Sequence, residues 1–175
     1  NGIIKEYPPG ITIKEILKTL GGKLLKEAIA ARLNGKIVDL SAELNEDATL
    51  SFITFDDPEG QDIYRHSASH LLAQAIKRLY PKARLGIGPA IKDGFYYDIE
   101  LDEPLSSDDF LKIEEEMKKI IKEDLQIERK EMPREEAIKF FESMQEPYKV
   151  ELIKDLPEGS PISCYRQGEF WDLCL

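Results

Sequence analysis

The sequence predicts an α+β protein of two small units, because helix and strand patterns alternate along its 175 residues. Thr12 and Glu15 have the spacing of a capping box, which begins a helix. Asn34-Gly35 and Asp93-Gly94 are dipeptides typical of tight turns between antiparallel strands. A turn-rich linker at residues 56–60 separates two segments that each combine both patterns, so we expect a domain boundary there.

The first predicted domain covers residues 1–57. Residues 2–7 have a strand pattern, and the helix after Thr12 has apolar residues at helical spacing. A second helical segment at 24–31 precedes the Asn34-Gly35 turn, and the alternating segment 48–55 closes the domain as a strand. Strand, helix, turn, strand and strand, in that order, outline a small β-grasp (ubiquitin-like) fold.

The second predicted domain covers residues 62–175 and combines an antiparallel sheet with packed helices. A helix over 66–79 ends before Pro81, and a β-hairpin over 85–101 turns at Asp93-Gly94. Ser106 or Ser107 caps a long helix on which Glu114-Glu115-Glu116 is interpreted as solvent-exposed surface. The remaining predictions are a strand at 126–132, a helix beginning at Pro133, and strands at 148–153 and 163–173.

Charge and composition exclude several classes of function. A net charge of −10 argues against a broad, nonspecific grip on nucleic acid, although not against contact with one end of an RNA. No apolar stretch approaches the roughly 20 residues of a membrane helix, and the start of the sequence does not resemble a signal peptide. Two cysteines, Cys164 and Cys174, do not form a disulfide framework, so we expect a reducing, cytoplasmic location.

The two histidines, His66 and His70, are the first candidates for chemistry. On a helix, residues four apart lie on one face, so both imidazoles are aimed at one point. Such a pair suits a metal ion, a bound water or a reacting carbonyl. A chance pair of surface histidines is the alternative interpretation.

Asp172 and Cys174 are the next candidates, because residues two apart on a strand share a face. With His66 and His70, Cys174 would give three ligands of a tetrahedral zinc site, the fourth being water or another residue. In the alternative interpretation, Cys174 is a small buried hydrophobic residue and Asp172 lies on the surface.

Three other features are weaker. Gly86-Ile87-Gly88 does not match a dinucleotide-binding loop and is interpreted as a strand that another chain segment approaches closely. Of Tyr96 and Tyr97, one could belong to the sheet while the other lines a pocket. Lys149 resembles a surface lysine that lies along apolar neighbours, but in a cleft it could hold a carboxylate or polarise an ester.

Five segments, in this order, carry a resemblance: RLNGKIVDLS, RHSASHLLAQAI, IGPAIKDGFYYDIE, PYKVELI and FWDLC. Together they resemble the N-terminal region of bacterial-type threonyl-tRNA synthetases. The first unit resembles the TGS domain of that family, and the second resembles its editing domain. A related histidine motif occurs in alanyl-tRNA synthetase editing domains, but no β-grasp unit precedes those.

The resemblance implies a role in correcting tRNA charging. The full enzymes ligate threonine to tRNA(Thr) with ATP, and this sequence lacks their class II catalytic core and anticodon-binding domain. ATP, magnesium and zinc are therefore expected for the missing catalytic domain, which also forms a homodimer, and no cofactor is expected here. The implied reaction is hydrolysis of mischarged Ser-tRNA(Thr), because losing one methyl costs only about 1–3 kcal/mol of binding, too little for fidelity.

The resemblance also implies roles for individual residues. His66, His70 and Cys174 belong to the pocket, and Lys149 and Asp172 are its polar partners. We expect His66, oriented by Asp172, to position or deprotonate a water, while Lys149 holds that water or the developing oxyanion. Tyr97, with His70 and Cys174, would shape the pocket around the terminal adenosine or the seryl group. The implied partners are the seryl-bearing 3′ end of tRNA(Thr) and the rest of a synthetase chain, without a membrane.

One departure from the family pattern concerns metal. The family's DLC segment continues with Arg-Gly-Pro-His, whose histidine completes a set of four ligands, whereas this sequence ends Cys174-Leu175. His66, His70 and Cys174 remain, so we expect no bound zinc, and we expect a C-terminally truncated editing domain. Two other interpretations stay open: a noncatalytic RNA-binding or regulatory module, and a freestanding trans-editing hydrolase.

Overall fold

Helices and antiparallel strands alternate along residues 2–174, the part of the chain that this computed structural model describes. The predicted α+β class is therefore confirmed. The chain divides into two units between Arg65 and His66, and this division falls inside the helix Pro58–Leu79. That helix begins within the predicted linker at residues 56–60, of which residues 58–60 are helical. The predicted domain limits, 1–57 and 62–175, stay predictions.

The first unit pairs its helices with two small antiparallel sheets. Its elements are β1 (Ile11–Thr12), α1 (Ile13–Leu20), α2 (Leu24–Glu27), β2 (Ala28–Leu33), β3 (Lys36–Val38), β4 (Glu43–Leu44) and β5 (Leu50–Thr54), followed by the start of α3 (Pro58–Leu79). Strand β2 lies between β3 and β5, and β1 pairs with β4.

The predicted capping box and tight turn of this unit are both confirmed. The Thr12 hydroxyl accepts a hydrogen bond from the Glu15 amide at 3.2 Å, and the Glu15 carboxylate accepts one from the Thr12 amide at 2.9 Å. Asn34 and Gly35 have φ of 51° and 83°, the left-handed values that a two-residue turn of this kind requires. The apolar face of α1 is buried at Ile13, Ile16 and Leu17.

Two predictions in this unit are wrong. Residues 2–7 form no strand; Ile3 and Ile4 are 80% and 94% exposed, and the described structure gives this segment no strand partner. The predicted helix at 24–31 ends at Glu27, because Ala28–Leu33 pairs on both sides as the central strand. Pairing on both edges outweighs the helical preference of its alanines.

The second unit packs helices on a three-stranded antiparallel sheet. Beyond α3 its elements are β6 (Arg84–Leu85), β7 (Ala90–Ile91), β8 (Gly94–Phe95), β9 (Ile99–Glu100), α4 (Ser107–Lys122), β10 (Ile127–Met132), α5 (Arg134–Ser143), α6 (Pro147–Asp155), β11 (Ile162–Gln167) and β12 (Phe170–Cys174). Strand β11 is central, between β10 and β12. A core between this sheet and helices α5 and α6 includes Phe141, Ile153, Ile162 and Cys164.

The predicted hairpin exists in interrupted form. Strand β7 pairs with β8 around the turn at Lys92-Asp93, and β6 pairs with β9. The segment 86–89, between β6 and β7, belongs to no strand. Ser106 caps α4 as predicted, with the Asp109 carboxylate accepting from the Ser106 amide at 2.9 Å. Residues 84–101 lie against α3, where Ala75 and Ile76 pack with Ile99.

Two predictions in this unit are also wrong. The segment 148–153 is not a strand but part of helix α6, which begins with Pro147 at its first position and buries Val150 and Ile153, three residues apart. Glu116 is not solvent-exposed; it is 9% exposed and lies 3.3 Å from Arg78 and 2.9 Å from Lys119. Its burial is compatible with its charge because both cations face it.

Among the described residues, no helix is both long enough and apolar enough to cross a bilayer.

Candidate functional site

Four parts of the second unit bring together the six residues that the sequence singles out. Helix α3 carries His66 and His70, α6 carries Lys149, and β12 carries Asp172 and Cys174. Tyr97 comes from the segment between β8 and β9. A single chain of contacts joins all of them: Cys174 to His66, His66 to His70, His70 to Asp172, and Asp172 to Lys149 and Tyr97.

The two imidazoles and the thiol form one end of the site. The rings of His66 and His70 have centroids 4.5 Å apart, as expected for residues one helical turn apart. His66 Nε2 lies 3.1 Å from Cys174 Sγ, a hydrogen bond whose direction depends on the imidazole tautomer. This contact brings together two residues that are 108 positions apart in the sequence and that we expected to share one cleft.

Lys149 is buried, with 3% of its surface exposed, and its ammonium uses all of its hydrogen-bond donors. Its ammonium lies 2.5 Å from Asp172 Oδ1 and donates to the Gly86 carbonyl at 2.6 Å and to the Tyr97 hydroxyl at 3.0 Å. An ammonium has three donors, so each donor has an acceptor. The surface interpretation of Lys149 is therefore wrong, and direct contact with a water or an oxyanion would require one of these three bonds to break.

Asp172 is the most connected group of the site and is 1% exposed, so its surface interpretation is also wrong. The Tyr97 hydroxyl donates to Oδ2 at 2.6 Å, and the Leu173 amide donates to Oδ1 at 2.8 Å. Oδ2 lies 3.7 Å from His70 Nε2. We expected Asp172 to orient His66; the structure instead places its carboxylate beside His70.

Burial sets the protonation of the imidazoles. It lowers the pKa of His66, an effect that the Asp172 charge opposes and the Lys149 charge reinforces. It lowers the pKa of the more deeply buried His70 to about 4. Both rings are therefore neutral near pH 7, the form in which an imidazole can accept a proton. Burial, followed by the Asp172 charge, raises the pKa of the Tyr97 hydroxyl, which stays protonated and can donate.

The exposure of the six residues defines the direction of access. His66 and Cys174 are partly exposed, whereas His70, Lys149 and Asp172 are at most 9% exposed. A ligand therefore meets the imidazole of His66 and the thiol first, with the charged pair behind them.

Two glycines allow the backbone to reach the site, which confirms the close approach predicted for Gly86-Ile87-Gly88. A Cβ on Gly88 would overlap the ring of Tyr97, and a Cβ on Gly86 would lie 3.0 Å from the side chain of Asp98. The segment is not a continuous strand, because β6 ends at Leu85. Its two glycine carbonyls accept hydrogen bonds from site elements instead.

Sequence reasoning missed two buried polar residues around the site. Ser69 is fully buried between the histidines, and its hydroxyl lies 2.8 Å from the carbonyls of both His66 and Gly88. Glu146, 3% exposed, accepts from the Leu85 amide at 3.0 Å. A polar residue on an otherwise apolar helix face is the signal for Ser69; no sequence pattern marks Glu146.

The donor set can be compared with the needs of zinc. His66, His70 and Cys174 place one ligand atom each within 4.8 Å of one another, and in the described residues this group has three members. Three protein ligands and a water would suit an open tetrahedral site. Within the set Cys174 forms a hydrogen bond with His66, and His70 also faces Asp172, which lies outside it.

Two clefts beside α6 are less suited to the chemistry. Their volumes are about 560 and 510 Å³, and carboxylates are prominent in both linings. Glu142, Glu151 and Asp155 line the first, and Asp98 and Glu100 contribute to the second. Such linings repel phosphates, and neither cleft includes the two histidines.

Known proteins resemble the whole chain. Residues 1–54 match the TGS domain family. Over 174 residues, 99% of the chain, the sequence is 59% identical to the threonine–tRNA ligase of Acetivibrio thermocellus and 58% identical to that of Carboxydothermus hydrogenoformans. The threonine–tRNA ligase of Geobacillus kaustophilus is 55% identical over the same length. The chain spans 27% of the length of each of these relatives.

The chain is thus similar, over 99% of its length, to the N-terminal part of bacterial threonyl-tRNA synthetases, and it begins with a match to the TGS domain family.

Proposed function

We propose that the second unit holds an editing site that hydrolyses the seryl ester of mischarged Ser-tRNA(Thr). The observation that carries this proposal is the gathering of a neutral, partly exposed imidazole, His66, in front of a buried carboxylate and ammonium. An ester hydrolase needs a base that is unprotonated at neutral pH and an environment that stabilises it once it is protonated. His66 has the first property, and the Asp172 charge supplies the second.

In the proposed mechanism, the His66 imidazole takes a proton from a water whose oxygen attacks the seryl carbonyl carbon. The carbonyl–ribose C–O bond then breaks, and the ribose oxygen receives the proton from His66. Serine and tRNA(Thr) are the products. Asp172 favours the imidazolium that forms in between, because its charge raises the pKa of both histidines.

Lys149 and Tyr97 have supporting roles in this proposal. Lys149 balances the charge of Asp172, and Lys149 and Tyr97 hold the carboxylate in place through contacts of 2.5 and 2.6 Å, respectively. This differs from the expectation that Lys149 holds the water or the oxyanion directly. His70, Tyr97 and Cys174 would line the space for the seryl group or the terminal adenosine.

The activity that we propose for the whole protein rests on the names of the relatives. We infer that the whole protein ligates threonine to tRNA(Thr) with ATP, using magnesium and zinc in parts of the relatives that this chain does not match. Its partners would be tRNA(Thr) and the rest of a synthetase chain, within a homodimer. A cytoplasmic location is proposed from this role and from the two cysteines, which form no disulfide in the described residues.

The decisive experiment measures single-turnover deacylation of Ser-tRNA(Thr) and Thr-tRNA(Thr) by the full-length protein in which this sequence occurs. We expect rapid release of serine, sparing of threonine, and a loss of at least about 100-fold in His66→Ala. Tyr97→Phe, which removes the bond to Asp172, should be slower than Tyr96→Phe, whose side chain is 45% exposed.

The outcomes separate the competing interpretations. Retained hydrolysis in His66→Ala would reject the role of that residue. Inert wild-type protein that still binds tRNA would favour the noncatalytic RNA-binding or regulatory module. Activity of the 175-residue chain alone would favour a hydrolase that works in trans.

A further inference from the structure

The geometry points to Glu146 as a positioning residue of the proposed editing site, acting through the Leu85 amide and the Gly86 carbonyl on Lys149. This inference rests on the proposed function for its activity readout. In the described structure Glu146 makes no hydrogen bond to the six site residues, so its positioning effect passes through other groups, although its charge also acts on Tyr97.

The first step is the bond pattern of the Glu146 carboxylate. Oε1 lies 2.7 Å from the Lys77 ammonium, and Oε2 accepts from the Leu85 amide at 3.0 Å. The side chain is 4% exposed. A buried carboxylate is stable only with such partners, so its position is tightly set by them.

The second step is that these partners lie on the elements that carry the site. Lys77 is two helical turns beyond His70 on α3 and therefore on the same face. Its ammonium also donates to the carbonyls of Pro81 and Ala83, which fixes the path from α3 into β6. Glu146 directly precedes α6, three residues before Lys149.

The third step leads from Leu85 to Lys149. Gly86, the next residue, offers the carbonyl that accepts from the Lys149 ammonium at 2.6 Å. The Gly86 amide donates to the Asp98 carbonyl at 2.8 Å, which holds the peptide from its other side. Glu146 thus helps to place the Gly86 carbonyl, which accepts from one of the three Lys149 donors. Without Glu146, this carbonyl loses one of its supports, and the position of Lys149 beside Asp172 is less closely set.

A pair of substitutions separates length from charge at Glu146. In Glu146→Gln the side chain keeps its length and can accept from the Leu85 amide, but the ion pair with Lys77 is lost. In Glu146→Asp the charge remains, but the shorter side chain cannot span Leu85 and Lys77. Glu116→Gln and Glu116→Asp are matched controls, because Glu116 is also buried and paired with two cations, Arg78 and Lys119, neither of which is among the six site residues.

The readouts are single-turnover release of serine from Ser-tRNA(Thr), well below the unfolding temperature of each variant, and the Lys149–Gly86 distance in crystals of the full-length protein. We expect Glu146→Asp to slow release about 10- to 100-fold and Glu146→Gln to stay within about threefold of wild type, as for displaced catalytic groups. Both Glu116 variants should keep the wild-type rate even where they lower the melting temperature. If Glu146 had a merely structural role, its variants would behave in the same way.

Two results would overturn the inference: a folded Glu146→Asp variant with the wild-type rate, or equal losses in Glu146→Gln and Glu146→Asp. If wild-type protein releases no serine, the proposed function fails instead. The Lys149–Gly86 distance in Glu146→Asp then decides the positioning role by itself, since an unchanged 2.6 Å bond would reject it.

Discussion

At the level of single residues, the site combines charged groups that are fully buried with an imidazole that is only partly so. Lys149 and Asp172 neutralise each other behind His70, while His66 faces the accessible side. The buried pair is costly to break, because removing one partner leaves the other charged and unpaired. We expect the Lys149–Asp172 pair to maintain a constant electrostatic environment around the two histidines.

The first residue-scale prediction concerns stability against pH. His70 has a pKa of about 4 in the folded protein, against 6.5 when unfolded, so the unfolded chain binds the extra proton between these values. Stability present above pH 6.5 is lost as pH falls towards 4, by about 3 kcal/mol from this residue. Urea unfolding at pH 7 and pH 4.5 should show a smaller acid loss in His70→Asn than in wild type. An equal loss in both proteins would contradict this.

The second residue-scale prediction concerns metal. His66, His70 and Cys174 give three ligands, but His70 is shared with Asp172 and Cys174 bonds His66. We expect purified protein that consists of this chain to hold far less than one zinc per chain, and serine release by the full-length protein to survive a chelator. Elemental analysis is the measurement, with Cys174→Ser as the control. Stoichiometric zinc that disappears in Cys174→Ser would overturn the prediction.

At the level of elements, the site depends on how closely irregular backbone lies against side chains. The segment 86–89 supplies carbonyls to Ser69 of α3 and to Lys149 of α6. This is possible because Gly86 and Gly88 have no side chain where Asp98 and Tyr97 pack. Because the hairpin is interrupted here, the Gly86 and Gly88 carbonyls are not used in pairing between strands and can accept these bonds.

The element-scale prediction tests this close approach. A methyl group at Gly88 must displace the Tyr97 ring and with it the 2.6 Å bond to Asp172. We expect Gly88→Ala to slow serine release by about tenfold or more, since small displacements at a site are costly. Gly94→Ala is the matched control, because a Cβ there meets nothing within 4 Å. Equal rates in the two variants would show that the ring adapts.

At the level of the whole molecule, the net charge of −10 shapes how RNA can be held. Such a charge argues against affinity that comes from many phosphate contacts. Under the proposed function, we expect this chain to recognise the aminoacylated 3′ end, with other parts of a synthetase holding the rest of the tRNA.

The whole-molecule prediction is a shallow salt dependence. Binding of uncharged tRNA to the 175-residue chain should be weak, with a slope of log affinity against log salt that corresponds to about two phosphate contacts or fewer. Fluorescence anisotropy between low and moderate salt measures it. A steep slope would reveal a basic binding surface that the overall charge conceals.

Local signals in the sequence determined much of this protein. The Thr12 capping box, the Asn34-Gly35 turn and the Ser106 cap each formed as predicted, because their hydrogen bonds lie within a few residues. The spacing of His66 and His70 likewise fixed their common direction. The five segments that resemble threonyl-tRNA synthetases pointed to the similarity that the identities show over 99% of the chain.

Only the tertiary structure decided which distant groups meet. Nothing local to Lys149 shows that it is a buried helix residue bonded to Gly86, or that Asp172 faces His70 and not His66. Glu146 gave no signal at all. The physical reason is that a buried charge is stabilised by partners from other elements, and those partners are set by packing of the whole unit rather than by neighbouring residues.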